Sequence, residues 1–583
     1  MNGSSFKRLS AFSGIRRGAW SVPRRAGVPS TSSSSNKLQS AARSLCIATS
    51  GIILLSSLAS SPVRARQHEN HDSAAGSIPL EVLQRPVPLR TGIGSIHDPV
   101  TTSSKEAQAF YDQGLAYLHS YVWIEAARSF NQALRLDPGL AMACAGLSRA
   151  YSGLNSMAGA RAALADARSR ELKATTREQR RIALRDRQLY AMESPGNLGL
   201  FQQYKDAIDS ALKADPSDVE LWLLRGNAEE GNAGGRGQHG SQASIQFYER
   251  ALQVSPGHFA AHHYLIHSLE NCGRISEALV HAEIYAKMAP AVPHALHMYG
   301  HDLRRVGKIN EAIAQFKRAD ELECAYYKAE NIAPELDWHH EHNLDLLATS
   351  YQYQGKVKAA ESLMREAFGI PSLQDTLEFN KKQWPAFLML RGRNQEALEA
   401  ALVLSKSRWD IVRSIGHVMA SHALLTMNRT SEAGEQAKAA LAELKASGGR
   451  AQFVAPYLES LQGEFYLRTG QAERGREILK EVERKLRQDQ SPDAWIQTLF
   501  RLEAIARAAR DAGDVELSEY TARQMLEHDP AYGGTHYAMA LALASRNDNK
   551  AAEREFSLAL KYWSEADPDF PELAEIRSRK SRQ

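Results

Sequence analysis

"FYDQGLAYLHSYVWIEAARSFNQALRLDP", Phe110 to Pro138, decides the fold. It reads as two helices joined by a tight turn. Small residues, Gly114 and Ala126, recur where the helix backbones must approach closely. Aromatic residues, Tyr117 and Phe130, fill the space this leaves, Ala133 follows one turn later, and Pro138 closes the unit. A helix pair of this size cannot bury its apolar faces alone, so it calls for neighbours of the same kind.

The spacing is that of the tetratricopeptide repeat (TPR), a unit of about 34 residues. The register recurs at Tyr248, Ala251 and Pro256, after a turn swollen by "GNAGGRGQHG". Two units then follow without a gap, residues 259–292 (Gly273, Ala278, Tyr285, Pro290) and 293–326 (Gly307, Ala312, Ala319, Cys324). Another begins near residue 341 with Tyr351, Gly355 and Ala360, and weaker ones begin near 378, 414, 456, 499 and 533. No stretch shows the sustained two-residue alternation of a strand. The expectation is an all-α TPR solenoid, antiparallel helix pairs stacked into a superhelix. The boundaries read as a leader over 1–66, an extended linker over 67–103, an N-terminal TPR region with irregular pairs over 104–255, central histidine-rich units over 256–375, and C-terminal TPR-like units over 376–583.

The formal charge of +4 misleads. Residues 1–66 hold ten Lys and Arg and no Asp or Glu, and without them the remainder stands at −6. A mildly acidic body excludes the basic footprint of a nucleic-acid binder. Within the leader, "SLCIATSGIILLSSLASSPV" (44–63) is an uncharged run between a basic region and small residues. That is the pattern of an export signal, or of an anchor if it is retained. An exported, periplasmic or membrane-anchored protein is therefore expected, with an organellar transit peptide as the alternative. Of four cysteines, Cys46 lies in the leader, and Cys144, Cys272 and Cys324 form no CxxC pair. They read as buried thiols, with no disulfide framework or cysteine zinc site.

Seven of the chain's 20 histidines fall between Ala261 and Ala312. The repeat register sorts them. In a TPR superhelix the first helix of each unit lines the concave groove. The groove-facing positions are His263, His267 and Glu270 in the unit starting at Phe259, and His294, His297 and His301 in the unit starting at Pro293. In the unit near Glu341 they are His342 and Asp345. His262 falls at a packing position and His281 on a second helix. His263–His267 and His297–His301 are i,i+4 pairs, each on one helical face. They sit on adjacent helices with axes about 10 Å apart. A candidate metal set follows: His263, His267, His297 and His301, with Glu270 as a ligand or as a carboxylate that orients an imidazole. Zinc, copper or iron suits such a mixed nitrogen and oxygen set. The alternative is a polar network that binds a partner's carboxylate or backbone without a metal. Between the second and third of these units, "YYKAENIAPELDWHHEH" reads as an inserted loop. It offers Trp338, His339 and His340 as a lid over the groove mouth.

The chain resembles a family of uncharacterised bacterial TPR proteins with histidine-rich central repeats. The likeness is carried by the stretch from Ile96 to Ala150, by "HHYLIHSLE", by "PHALHMYGHDLRRVGKINEAI" and by "EHNLDLLATSYQYQG". It implies a groove site of His263, His267, Glu270, His294, His297, His301, His342 and Asn343. It also implies frequent export and no established reaction. Where the family often has Asn-His before the Glu-Ala of the first repeat, this chain has Val122 and Trp123, and where it often has Tyr-Trp, this chain has Cys144 and Ala145.

No HExxH, GxSxG or trustworthy Ser-His-Asp order is found. The chain therefore reads as a binding protein rather than an enzyme. Its leading function is that of an exported TPR scaffold binding a protein, peptide or small ligand in its groove through the His/Glu cluster. The alternative is a metal-binding or metal-dependent protein using the same histidines.

Overall fold

The computed structural model describes residues 78–446, 454–489 and 493–580. Every regular element among them is a helix. The expected leader, including the apolar run 44–63, lies outside the described residues. No described helix is long and apolar enough to cross a membrane.

Helix pairs follow one another from Lys105–His119 with Trp123–Leu136 to Gly533–Ser545 with Asn549–Tyr562, and most helices pack on the one before and the one after. This is an all-α TPR solenoid. The close approaches anticipated from small residues are present. A Cβ on Gly114 would stand 2.6 Å from the Phe130 ring, and one on Gly300 would stand 2.7 Å from Phe316. Each aromatic occupies the hole left by a glycine one helix away, which couples sequence register to helix spacing.

Two departures bear on the site. First, residues 78–104 are not a free linker. Val82, Leu83, Val87 and Ile93 are buried. The Gly92 carbonyl accepts from the Ala291 amide at 2.8 Å, and Asp98 pairs with Arg177 and Arg181. This strap ties the first repeats to the central ones. Val82 and Leu83 are adjacent on a short helix, Leu80–Leu83, while Leu80 and Leu89 stay exposed, so no two-residue alternation announces the burial.

Second, the superhelix closes on itself. One apolar core joins Leu303, Leu346 and Leu347 of the central repeats to Leu499, Trp563 and Phe570. The Trp563 indole N–H donates to the Tyr353 carbonyl at 3.2 Å, and the Tyr353 hydroxyl donates to Asp529 at 2.9 Å. Closure brings the start of helix Ala494–Asp511 over the inner face of the central repeats.

Candidate metal centre

The expected groove histidines lie on the inner face, but not along an open channel. His263, His267, His294, His297 and His301 are all buried, and His342 is half-buried. The structure arranges them in two adjacent groups.

The first group is His263, His267 and His294, whose nearest ring nitrogens all fall within 4.8 Å of one another. His263 Nδ1 lies 2.6 Å from the His119 carbonyl. A carbonyl only accepts, so Nδ1 carries the proton and Nε2 is left with a lone pair. His267 Nε2 and His294 Nε2 stand 3.1 and 3.0 Å from that lone pair. One in-plane lone pair serves one N–H donor well, not two. If His294 donates from Nε2, its Nδ1 becomes a bare acceptor, and that buried atom has no partner. The set therefore fits hydrogen bonding poorly. It fits coordination better, since the nitrogens of a tetrahedral site with Zn–N of about 2.0–2.1 Å stand about 3.3 Å apart. Burial pushes His263 down to about 3. Burial, then the neighbouring imidazoles, holds His267 and His294 well below the ordinary range. All three are neutral near pH 7, the form a metal requires.

The second group is His297, His301 and His342, again with nitrogens within 4.8 Å of one another. His297 Nδ1 donates to Asn343 Oδ1 at 3.0 Å, and the Asn343 amide is itself oriented by donating to the Phe316 carbonyl at 3.0 Å. His301 Nδ1 donates to Glu270 Oε1 at 3.1 Å. Glu270 thus orients an imidazole, the second of the roles expected for it, and the expected ligand set is divided between two groups. His294, absent from that set, completes the first one. Asp493 contributes a carboxylate that nothing local announces: its Oδ1 lies 3.2 Å from His301 Nε2. Burial would lower His301, but Glu270 and Asp493 outweigh it and raise the imidazole above its ordinary value. Burial would likewise raise Asp493, yet His342 and His301 hold it well below the usual carboxylate range.

The residues expected in a lid loop are placed differently. Trp338, His339 and His340 form the first turn of helix Trp338–Tyr353, started by Asp337, whose carboxylate accepts from the His339 amide at 3.1 Å. An aspartate at this position satisfies an otherwise orphaned N–H, so a helix replaces the loop. Trp338 still covers the site, its indole N–H donating to the Tyr121 carbonyl at 3.3 Å. His339 enters the cluster. Its ring stands 5.0 Å from His294 and 4.7 Å from His297, its Nδ1 is held by Glu323, and its buried Nε2 has no partner. His340 points away and pairs with the other oxygen of Glu323 at 3.1 Å. His262 and His281 pair with each other at 2.7 Å, apart from both groups.

Tyr121 was not anticipated. Its ring lies 4.6 Å from His263 and 5.2 Å from His294. It also adopts φ 59°, in a turn position that glycine or asparagine fills in later repeats, as at Gly273, Gly307 and Asn155. A bulky residue there costs on the order of 1–3 kcal/mol, a strain retained where a site needs it.

No protein-family model matches the chain, and no curated protein does. Solved structures match it over long stretches. They include the human IFIT1 dimer with PPP-AAAA (11% identity, 77% of this chain and 88% of that chain, TM-score 0.32). Yeast Tom70 matches at 12% identity over 73% of this chain and 93% of that one, with TM-score 0.35. A tetratricopeptide repeat protein from Parabacteroides merdae matches at 12% identity over 48% and 98%, with TM-score 0.32. At this level the likeness carries nothing about the site, which stands on its own geometry.

Proposed function

We propose that this chain is a helical-repeat metalloprotein that holds a divalent transition-metal ion between His263, His267 and His294. The observation that carries the reading is the convergence of three buried, neutral ring nitrogens on one point, with His263 locked by the His119 carbonyl. An imidazole whose far nitrogen is fixed by a backbone carbonyl is the usual arrangement of a metal ligand. Burial of the cluster argues against a peptide lying across it, because a peptide needs an open channel and an ion does not. Zinc and copper suit three neutral imidazoles best.

The test is metal analysis of the full chain without a purification tag. His267→Ala lowers tightly held zinc or copper by one ion per chain while circular dichroism retains the helical signal. Metal content unmoved by His267→Ala and by His263→Ala overturns the proposal.

A protein or peptide partner belongs to a second reading, favoured by a separate concavity. It lies between helices Gln383–Leu390, Asp410–Thr426, Ala455–Arg468 and Ala494–Asp511. Lys382, Arg501 and Arg507 line it beside Met389, Tyr457 and Phe500. A partner there survives His297→Ala and is lost on Lys382→Glu; the reverse result refutes this reading. Export through residues 44–63 is part of the proposal, and the N-terminal sequence of the mature protein tests it. No nucleic-acid partner is proposed, given the −6 charge outside the leader.

A further inference from the structure

The first group accounts for only three of the seven imidazoles gathered on the inner face. His297, His301, His342 and His339 remain, together with Asp493. We infer that His297, His301, His342 and Asp493 form a second metal site beside the first, so that the chain holds a two-ion centre. This rests on the reading of the first group as a metal site.

Three observations carry it. The nitrogens of His297, His301 and His342 converge within 4.8 Å, although the residues come from two helices, Pro293–Arg305 and Trp338–Tyr353. Two of the three are pre-oriented from behind by oxygen acceptors, His297 by Asn343 and His301 by Glu270, so their Nε2 atoms turn toward the shared space. The third observation is orphaned polarity. His301 Nε2 and Asp493 Oδ1 lie 3.2 Å apart, both buried, yet neither makes a hydrogen bond of acceptable direction. A donor and an acceptor at that distance normally align; two ligands of one ion need not. Glu270 Oε2 is also buried without a partner.

The competing account is a plain salt-bridge network, with His301 protonated between Glu270 and Asp493. Charge does not decide between the two, because Arg304 acts on Asp493, and Arg305 on Glu270 and Asp302. The network account leaves His297 and His342 unexplained. With both ring nitrogens of His301 already facing carboxylates, no N–H remains for the nitrogens of His297 and His342, whereas an ion takes their lone pairs directly. Three imidazoles and a carboxylate make a mixed set that accepts zinc, iron or manganese. The two groups are contiguous. His294 stacks on His297 at 5.8 Å, and His339 stands against both.

Titrating Zn(II) into the untagged, metal-stripped full chain tests the inference by counting ions. The wild type binds two. His342→Ala, at the half-buried member of the second group, binds one, and so does His267→Ala, from the other group. Asp493→Asn, which preserves shape, weakens the second ion at least about tenfold and leaves the first unchanged. One ion in the wild type, removed by His267→Ala and indifferent to His342→Ala and Asp493→Asn, overturns the second site and leaves the first standing. No ion at all overturns both.

Discussion

The two histidine groups are built from the same side chain, lie side by side, and behave oppositely. In the first, three imidazoles meet, and the carboxylate nearest to them, Glu270 Oε2, stands 3.9 Å from His267 Nδ1 and hydrogen-bonds to none of the three. Burial keeps them neutral, and their lone pairs face one another. In the second, His301 is flanked by Glu270 and Asp493, and its affinity for a proton rises rather than falls. The difference teaches what each group needs when no ion is bound. In the second, Glu270 and Asp493 favour a proton on His301, which offsets part of that need. The first has a weaker remedy, because the same burial that keeps its nitrogens unprotonated and dry also denies them donors. The first group should therefore be the more demanding of metal.

Breaking the first group gives the largest effect. His263→Ala removes the ligand locked to the His119 carbonyl and leaves that carbonyl without its donor. Affinity for the first ion should fall by more than about a hundredfold, beyond what loss of an orienting contact costs. The second ion should stay within a few-fold of its wild-type affinity. Competition with a chromophoric chelator reads both, and equal loss of the two ions would merge the groups into one site.

How much of this contrast was legible beforehand depends on distance along the chain. The fold was legible because Gly114 with Phe130, and the glycines at later turns, repeat a local requirement. The inward direction of His263, His267, His297 and His301 was legible for the same reason, since i,i+4 spacing places residues on one face of one helix. The grouping was not. Whether His294 joins His263 or His301 depends on the axial offset of adjacent helices, which no spacing within one helix reveals. Asp493 arrives through closure of the superhelix by Trp563, Phe570 and Leu499 on the central repeats, a contact that leaves no local trace. His339 was within reach, because Asp337 is a helix-starting residue just before "WHHEH" and announced a helix where a loop was expected.

Acid should sharpen the contrast in the metal-free chain. In the first group the folded-state values lie below the unfolded value of about 6.5, with His263 near 3. The unfolded chain therefore takes up more protons as pH falls below about 6.5, and stability drops progressively toward pH 3. His301 has the opposite sign. Its contribution is fully present below about pH 6.5 and is lost as pH rises through its elevated folded value. The depressed histidines outnumber it, so the joint contribution of the two groups to Tm should fall between pH 7 and 5, against an opposing rise from buried carboxyls such as Glu341 and Asp345, both held up to about 7. His301→Gln removes the imidazole's opposing contribution and should make that fall steeper. A flat joint contribution would show that these imidazoles are solvated.

An intermediate effect is expected behind the second group. Asn343→Ala leaves every proposed ligand in place but frees His297 Nδ1 from the acceptor that sets its orientation. The second ion should weaken by about 10–100-fold, as when an orienting partner of a ligand is lost. The first ion should be untouched. If zinc titration shows both ions unchanged, His297 is held by packing against Phe316, whose ring lies 5.5 Å away, and not by the amide.

The smallest effect concerns the strained cover of the first group. Tyr121 lies ring-on to His263 and His294, but its hydroxyl points elsewhere, donating to the Arg236 carbonyl at 2.8 Å. The phenol is therefore not a ligand in this arrangement; the ring is a hydrophobic wall and the hydroxyl an anchor that helps pin a left-handed turn. Tyr121→Phe keeps the wall and removes the anchor. It should lower stability by about 0.5–1.5 kcal/mol, the net worth of one hydrogen bond, and leave both ions bound at wild-type affinity. Thermal unfolding and zinc titration separate these outcomes. Loss of the first ion in Tyr121→Phe would mean that the hydroxyl reaches the metal, and the first group would then be a three-imidazole, one-phenol site rather than the all-imidazole member of the pair.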